Sequence, residues 1–211
     1  MSEFKPASET KDNKINPNLA LYKAFQNAFH DAARESENPI VWNTQRRMGK
    51  TTVLARLAAE YLRLGDVWFL SCNNSVETMF IDKVKAQFND DVYIRSTKTK
   101  IEYATPDKVH VLVNPNKLHK LEDGLKVNQP VLIIVDEMQL CTIKSMDRML
   151  PYLTDSMKTK FVATTTGISG TDTIWCAKNF GIPEVVSTGF ASVDRKMKAL
   201  TGDTNGWEVK D

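Results

Sequence analysis

An α/β fold, with a mainly parallel central sheet flanked by helices, is predicted by three observations on the sequence. Short continuous apolar runs alternate with stretches of helical periodicity, the pattern of a parallel sheet covered on both faces. One such run, "IVW", feeds a tight segment ending "MGKTT" and then a strong helix. Another, "VLIIV", ends in two adjacent carboxylates, Asp136 and Glu137. The 211 residues suffice for one substantial domain with short appendages. No internal repeat or low-complexity tract interrupts them.

Taken in order, residues 1–16 are polar and aperiodic and read as a flexible arm. From Pro17 to about Ser36, Leu19, Tyr22, Phe25, Phe29 and Ala32 recur at three- and four-residue intervals, which predicts an amphipathic helix. "NPIVW" is a short strand, and "TTVLARLAAEYLRLG" a helix stopped by Gly65 as its C-terminal cap. "DVWFLSC" is a second apolar strand, followed by the helix "SVETMFIDKVKAQF" with Ser75 as N-cap. Several β-rich pieces, "VYIR", "KIEYA" and "KVHVLVN", occupy residues 92–113. The buried strand "QPVLIIVDEMQ" comes next, then the helical "IKSMDRMLPYLTDSM", interrupted or restarted at Pro151. "KFVATTTG" is another buried strand. The core domain is set at residues 17–170, and residues 171–211 form an extension that completes or flanks it.

Bulk properties narrow the function classes. Charged residues make up 26% and the net charge is +2, so nucleic acid is neither demanded nor excluded. Cys72, Cys141 and Cys176 lack a C-x-x-C pair and predict reduced thiols in an intracellular setting. His30, His110 and His119 lack metal-ligand spacing and read as solvated or structural. No apolar run approaches the roughly 20 residues that span a bilayer, and a signal-peptide core is missing. A soluble intracellular protein without membrane contact is expected.

The motifs carry the chemistry. A strand, a tight loop and a helix opening on Gly49-Lys50-Thr51-Thr52 is the context of a phosphate-binding loop, the Walker A motif. Gly49 lets the backbone approach phosphates, and the amides opening the helix point at them. Lys50 is expected to reach the β- and γ-phosphates of ATP, and Thr51 to ligate Mg2+. The loop spans Thr44, Gln45, Arg46, Arg47 and Met48, with Thr44 where the first glycine usually stands. An accidental G-K-T is the bland alternative. The second motif argues against it, because Asp136 and Glu137 end an apolar strand about 85 residues downstream, as a Walker B motif does. Asp136 is expected to hold Mg2+ through water and Glu137 to act as general base on the attacking water. A glutamate directly after the strand aspartate favours hydrolysis over phosphoryl transfer to a small acceptor. The fold class is therefore a P-loop NTPase of the additional-strand, catalytic-glutamate (ASCE) type, with "DVWFLSC", the β-rich middle and "KFVATTTG" as candidates for a strand inserted between the loop and acidic strands.

Arg46 and Arg47 would ordinarily be solvated or ion-paired. Inside a phosphate loop, one guanidinium can lean over the γ-phosphate and stabilise transition-state charge in cis. Thr164, Thr165 and Thr166 close the strand "KFVATTTG", where hydroxyls can sense the γ-phosphate or attacking water; β-branched threonine is also simply common in strands.

The ordered set "TQRRMGKTT", "VWFLSCNNSVETMFIDKV", "VLIIVDEMQ" and "FVATTTG" resembles the ATPase domain of viral terminase large subunits, bacteriophage- and herpesvirus-type DNA-packaging motors. That family often lacks the first loop glycine and carries arginine just before the glycine-lysine pair. The resemblance covers about residues 17–170. It implies Arg46 as the cis-acting arginine, Glu137 as the catalytic carboxylate and Thr164 and Thr165 as coupling residues, with Tyr22 or Gln26 near the adenine. It also implies double-stranded DNA as cargo, a homo-oligomeric ring, a portal or other packaging proteins as partners, and the host cytoplasm or nucleus as location. The chain departs from the family in one respect. Only 44 residues follow Gly167, too few for the usual nuclease domain, and they hold no acidic cluster.

Three further readings compete. A helicase-like remodelling ATPase shares the loop and the acidic pair. A nucleotide-binding regulatory or assembly module would hydrolyse little, and Glu137→Gln would leave its behaviour unchanged. A nucleoside or nucleotide kinase would need an acceptor pocket and lid. Lys83, Lys85, Lys98, Lys100, Lys117, Lys120, Lys126 and Lys144 are available as phosphate contacts or as plain solvated surface.

Overall fold

The computed structural model of the protein describes residues 17–37, 39–43, 49–71, 73–88, 94–120, 129–154, 159–166, 175, 178–179 and 184–186. The expected arm at 1–16, the loop residues Thr44–Met48, Gly167, Cys72, Cys176, Lys126 and most of 171–211 lie outside them.

Helix α1 (Pro17–Glu35) leads into β1 (Ile40–Asn43), and α2 (Lys50–Leu62) follows the loop. Strand β2 (Val67–Leu70) precedes α3 (Asn74–Lys85). Three strands follow: β3 (Ile94–Ser96), β4 (Lys100–Ala104) and β5 (Val109–Val113). Strand β6 (Leu132–Val135) is succeeded by the short helices α4 (Ile143–Asp147) and α5 (Leu150–Thr154), so the restart at Pro151 falls inside the first turn of α5, where proline costs little. Strands β7 (Lys160–Thr165) and β8 (Glu184–Val186) complete the set.

All eight strands form one sheet in the order β3-β4-β5-β2-β6-β7-β1-β8. From β5 to β8 every pairing is parallel, and β3 and β4 add antiparallel strands at one edge. Strand β7 is the inserted strand: it lies between β1, which precedes Gly49 and Lys50, and β6, which ends in the acidic pair. Strands β2 and β6 are buried along their whole length, as runs covered on both faces must be. One core cluster joins α1, α2 and α3 to one face through Phe29, Trp42, Leu54, Leu57, Phe69 and Phe80. A second joins the other face to α4 and α5 through Trp68, Ile133, Met146, Met149 and Phe161.

Two local expectations are corrected. The N-cap of α3 is Asn73, not Ser75: its side chain accepts from the Val76 N–H at 2.9 Å, so the helix starts earlier than predicted. Helix α2 ends at Leu62 with Arg63 as its cap, and Gly65 is not in the left-handed region, which among the described glycines only Gly49 occupies. Glycine is needed at 65 for space instead, since a Cβ there would stand 2.6 Å from Val131 Cγ1.

His30 and His110 are structural. Buried His30 pairs through Nε2 with Glu60 Oε1 at 3.0 Å, and buried His110 meets the Leu62 carbonyl through Nδ1 at 2.8 Å. Two of the surface lysines are tied to carboxylates, Lys100 to Glu102 at 2.7 Å and Lys117 to Glu77 at 2.8 Å. No described helix is long and apolar enough to cross a membrane.

Candidate active site

The carboxyl ends of β6 and β7 and the start of α2 meet at one end of the sheet, because β6 and β7 are adjacent and parallel with Val135 opposite Ala163. Open α/β sheets bind ligands at the carboxyl ends of their strands. Gly49 turns the chain into α2 with φ +81°, a conformation open to glycine at little cost, and a Cβ at that position would overlap the Gln26 side-chain amide. The backbone conformation is what calls for glycine here, since the end of the Gln26 side chain can swing aside.

Lys50, the first residue of α2, is buried, and its ammonium lies 3.1 Å from Glu137 Oε1. It also donates to Thr166 Oγ1. Thr51 Oγ1 donates to Asp136 Oδ2 at 2.8 Å, so α2 and the acidic strand are joined directly. Thr164 Oγ1 donates to Asp136 Oδ1 at 2.7 Å and accepts from the Glu137 N–H at 3.3 Å. Thr166 Oγ1 donates to Glu137 Oε2 at 2.7 Å. Lys50, Thr51, Asp136, Glu137, Thr164 and Thr166 are thus in one hydrogen-bonded cluster. Thr165 reaches the cluster through Gln139, and Thr52 points outward, with its hydroxyl 3.1 Å from Lys83 Nζ.

Gln139 carries no motif that sequence reasoning could single out. It donates to Glu137 Oε2 at 2.6 Å and accepts from Thr165 Oγ1 at 2.8 Å and the Thr166 N–H at 3.2 Å. Its only sequence signal is its place two residues after the acidic pair, on a turn that brings its side chain back to the carboxylate. The packing sets Gln26 against Gly49, at the loop's end.

The two carboxylates are in unlike environments. Asp136 is buried, and burial pushes its carboxyl above the ordinary range, with the Glu137 charge adding; the bonds from Thr164 and Thr51 and the Lys50 charge oppose this. Burial acts in the same upward sense on Glu137. There it is outweighed by the bonds from Gln139 and Thr166 and by Lys50, so Glu137 is held below its ordinary range. Glu137 also takes a left-handed backbone, φ 51° and ψ 56°, the one such non-glycine among the described residues. Strain of that kind is retained where surrounding contacts over-determine it.

No protein-family profile matches the chain, and no curated protein matches it. Among solved structures it is similar to the large terminase of a thermophilic bacteriophage, with a TM-score of 0.54 at 9% identity over 84% of this chain. The fold is terminase-like. The chain spans 48% of that protein, about half its length. Sequence identity this low carries the fold alone: a P-loop NTPase architecture with a mostly parallel sheet and flanking helices. Within the terminase-like fold the cluster lies at the sheet end where β6 and β7 terminate, and its donor set of hydroxyl and carboxylate oxygens beside one ammonium suits a hard cation and phosphate oxygens.

Proposed function

We propose that the chain is an ATP-hydrolysing motor that translocates double-stranded DNA, as a terminase-type genome-packaging ATPase. The observation that carries the reading is the convergence of Lys50, Thr51, Asp136 and Glu137 with three strand-end threonines at one end of a terminase-like sheet. The first turn of α2 and Lys50 bind the phosphates of ATP, with Thr44–Met48 completing the loop. Thr51, and Asp136 through water, would hold Mg2+, which when bound would neutralise charge on the phosphates. Glu137, kept ionised by its donors, takes a proton from water as the water oxygen bonds to the γ-phosphorus. The bond from that phosphorus to the β–γ bridging oxygen breaks, and ADP leaves with the electron pair. Arg46 stabilises the transferring phosphoryl group from within the loop. Thr164 and Thr165 pass the state of the site to β7. A homo-oligomeric ring and a portal or other viral packaging protein follow from the resemblance, as does a host cytoplasmic or nuclear location.

Steady-state ATP hydrolysis with Mg2+, by the wild type and Glu137→Gln, with and without double-stranded DNA, tests the reading. The expected result is DNA-stimulated turnover that falls by about 100-fold or more in the variant. Turnover indifferent to DNA would leave an ATPase and remove the motor. Nucleotide binding without hydrolysis by either protein would replace the motor with a regulatory module.

A further inference from the structure

Gln139 is the polar group of this site that neither the phosphate loop nor the acidic pair explains. It sits in a 3-10 turn, Met138–Leu140, that starts immediately after Glu137 and is anchored by buried Met138. Both ends of its amide are used. The nitrogen donates to the Glu137 carboxylate, and the oxygen accepts from the Thr165 hydroxyl and the Thr166 backbone N–H. One side chain therefore links the end of β6 to the end of β7 across the cluster.

We propose that Gln139 is a positioning residue that sets the Glu137 carboxylate and ties it to the threonine end of β7, so that the two move as a unit. The proposal rests on the hydrolytic reading above and adds to it the element that couples general base to strand. Its chemistry is specific to an amide of this length. Glutamate in its place offers only acceptors and faces a second carboxylate, while leucine offers neither donor nor acceptor. Lys50 also holds Glu137, at 3.1 Å, but ATP phosphates compete for that ammonium. Once Lys50 turns to phosphate, Gln139 and the Thr166 hydroxyl are the side-chain donors left on the carboxylate.

The test uses the full chain as wild type, Gln139→Leu and Gln139→Glu, each checked by thermal melting. Three quantities are measured: kcat and KM for ATP, the Kd of a fluorescent ADP analogue, and hydrogen exchange at the Thr166 amide. In Gln139→Leu, kcat is expected to fall about 10- to 100-fold, the range for losing a hydrogen bond to a charged group. KM and the ADP Kd should hold within about two-fold, and Thr166 exchange should accelerate about ten-fold, as expected for an exposed donor. Gln139→Glu separates the two halves of the link: kcat falls, but Thr166 keeps an acceptor and its protection. That variant also serves if leucine fails to fold. An unchanged kcat in both variants, a Kd that weakens in step with kcat, or unchanged Thr166 exchange in the leucine variant would each overturn the proposal. If the wild type hydrolyses no ATP, the enzymatic reading falls alone. The link between β6 and β7 then stands or falls on Thr166 exchange.

Discussion

Asp136 and Glu137 are neighbours whose surroundings have opposite consequences for stability. Asp136 carries a carboxyl raised chiefly by burial, so its ionised form costs the folded state free energy at neutral pH. As pH falls from that raised value to the ordinary carboxylate range, the folded state binds its proton first and the cost disappears. Glu137 behaves in reverse. Held low by Gln139, Thr166 and Lys50, it contributes stability above its unfolded pKa, lost as pH falls through the folded value. Asp136→Asn should therefore stabilise the metal-free protein at pH 7, seen as a raised Tm, with the gain shrinking as pH falls into the ordinary carboxylate range. Glu137→Gln should give no such gain. Thermal melts in chelator across that pH range check the pair, and equal shifts for the two variants would refute the assignment.

Elements are held by groups whose importance the sequence only partly discloses. Lys160 opens β7, and its ammonium donates to the carbonyls of Ala33 and Arg34, at 2.8 and 2.9 Å, and to that of Ser36. Those carbonyls end α1, where the last turn has no partners of its own and the helix dipole favours a cation. Lys160→Met should lower stability by about 1–3 kcal/mol, seen as an earlier urea midpoint, and should raise exchange in the last turn of α1. A sequence scan finds α1 from the spacing of Phe29 and its neighbours, yet a lysine 126 residues beyond Arg34 leaves no local mark. The same limit explains the two corrected boundaries. Asn73 and Ser75 are both good caps, and only the direction in which the chain leaves β2 selects between them. Gly65 resembles a helix stop because glycine often is one, whereas its requirement is space for Val131, a residue far along the chain. The acidic pair and the threonine strand, by contrast, are legible because their chemistry is concentrated in contiguous residues. Gln139 escapes such a reading because an amide is ambiguous until the turn that aims it is known.

Across the whole molecule, alternation of apolar strands and helices is enough to predict a parallel sheet, while strand order depends on pairings that buried, similar strands do not advertise. The β-rich middle forms β3 to β5, and the mixed, aperiodic tail supplies β8, which pairs with β1. A ligand bridging α2, β6 and β7 ties several elements at once, so nucleotide should stabilise the fold globally. Mg2+–ATP analogue at 100 times its Kd should add about 2.7 kcal/mol, or roughly 5–10 °C in Tm, and Lys50→Ala should abolish the shift. A melt insensitive to nucleotide would remove the site. The position of β1 has another consequence. Its neighbours are β7 and β8, so Ile40 waits for Val162 and Glu184 before either edge is paired. On a ribosome adding about 5–20 residues per second, that interval is on the order of ten seconds. Throughout it residues 40–43 have neither of their partner strands, and Gly49 and Lys50 have no β7 beside them. The candidate ATP site is thus one of the last parts of the protein to come into existence, and its assembly depends on whatever shields residues 40–43 until then.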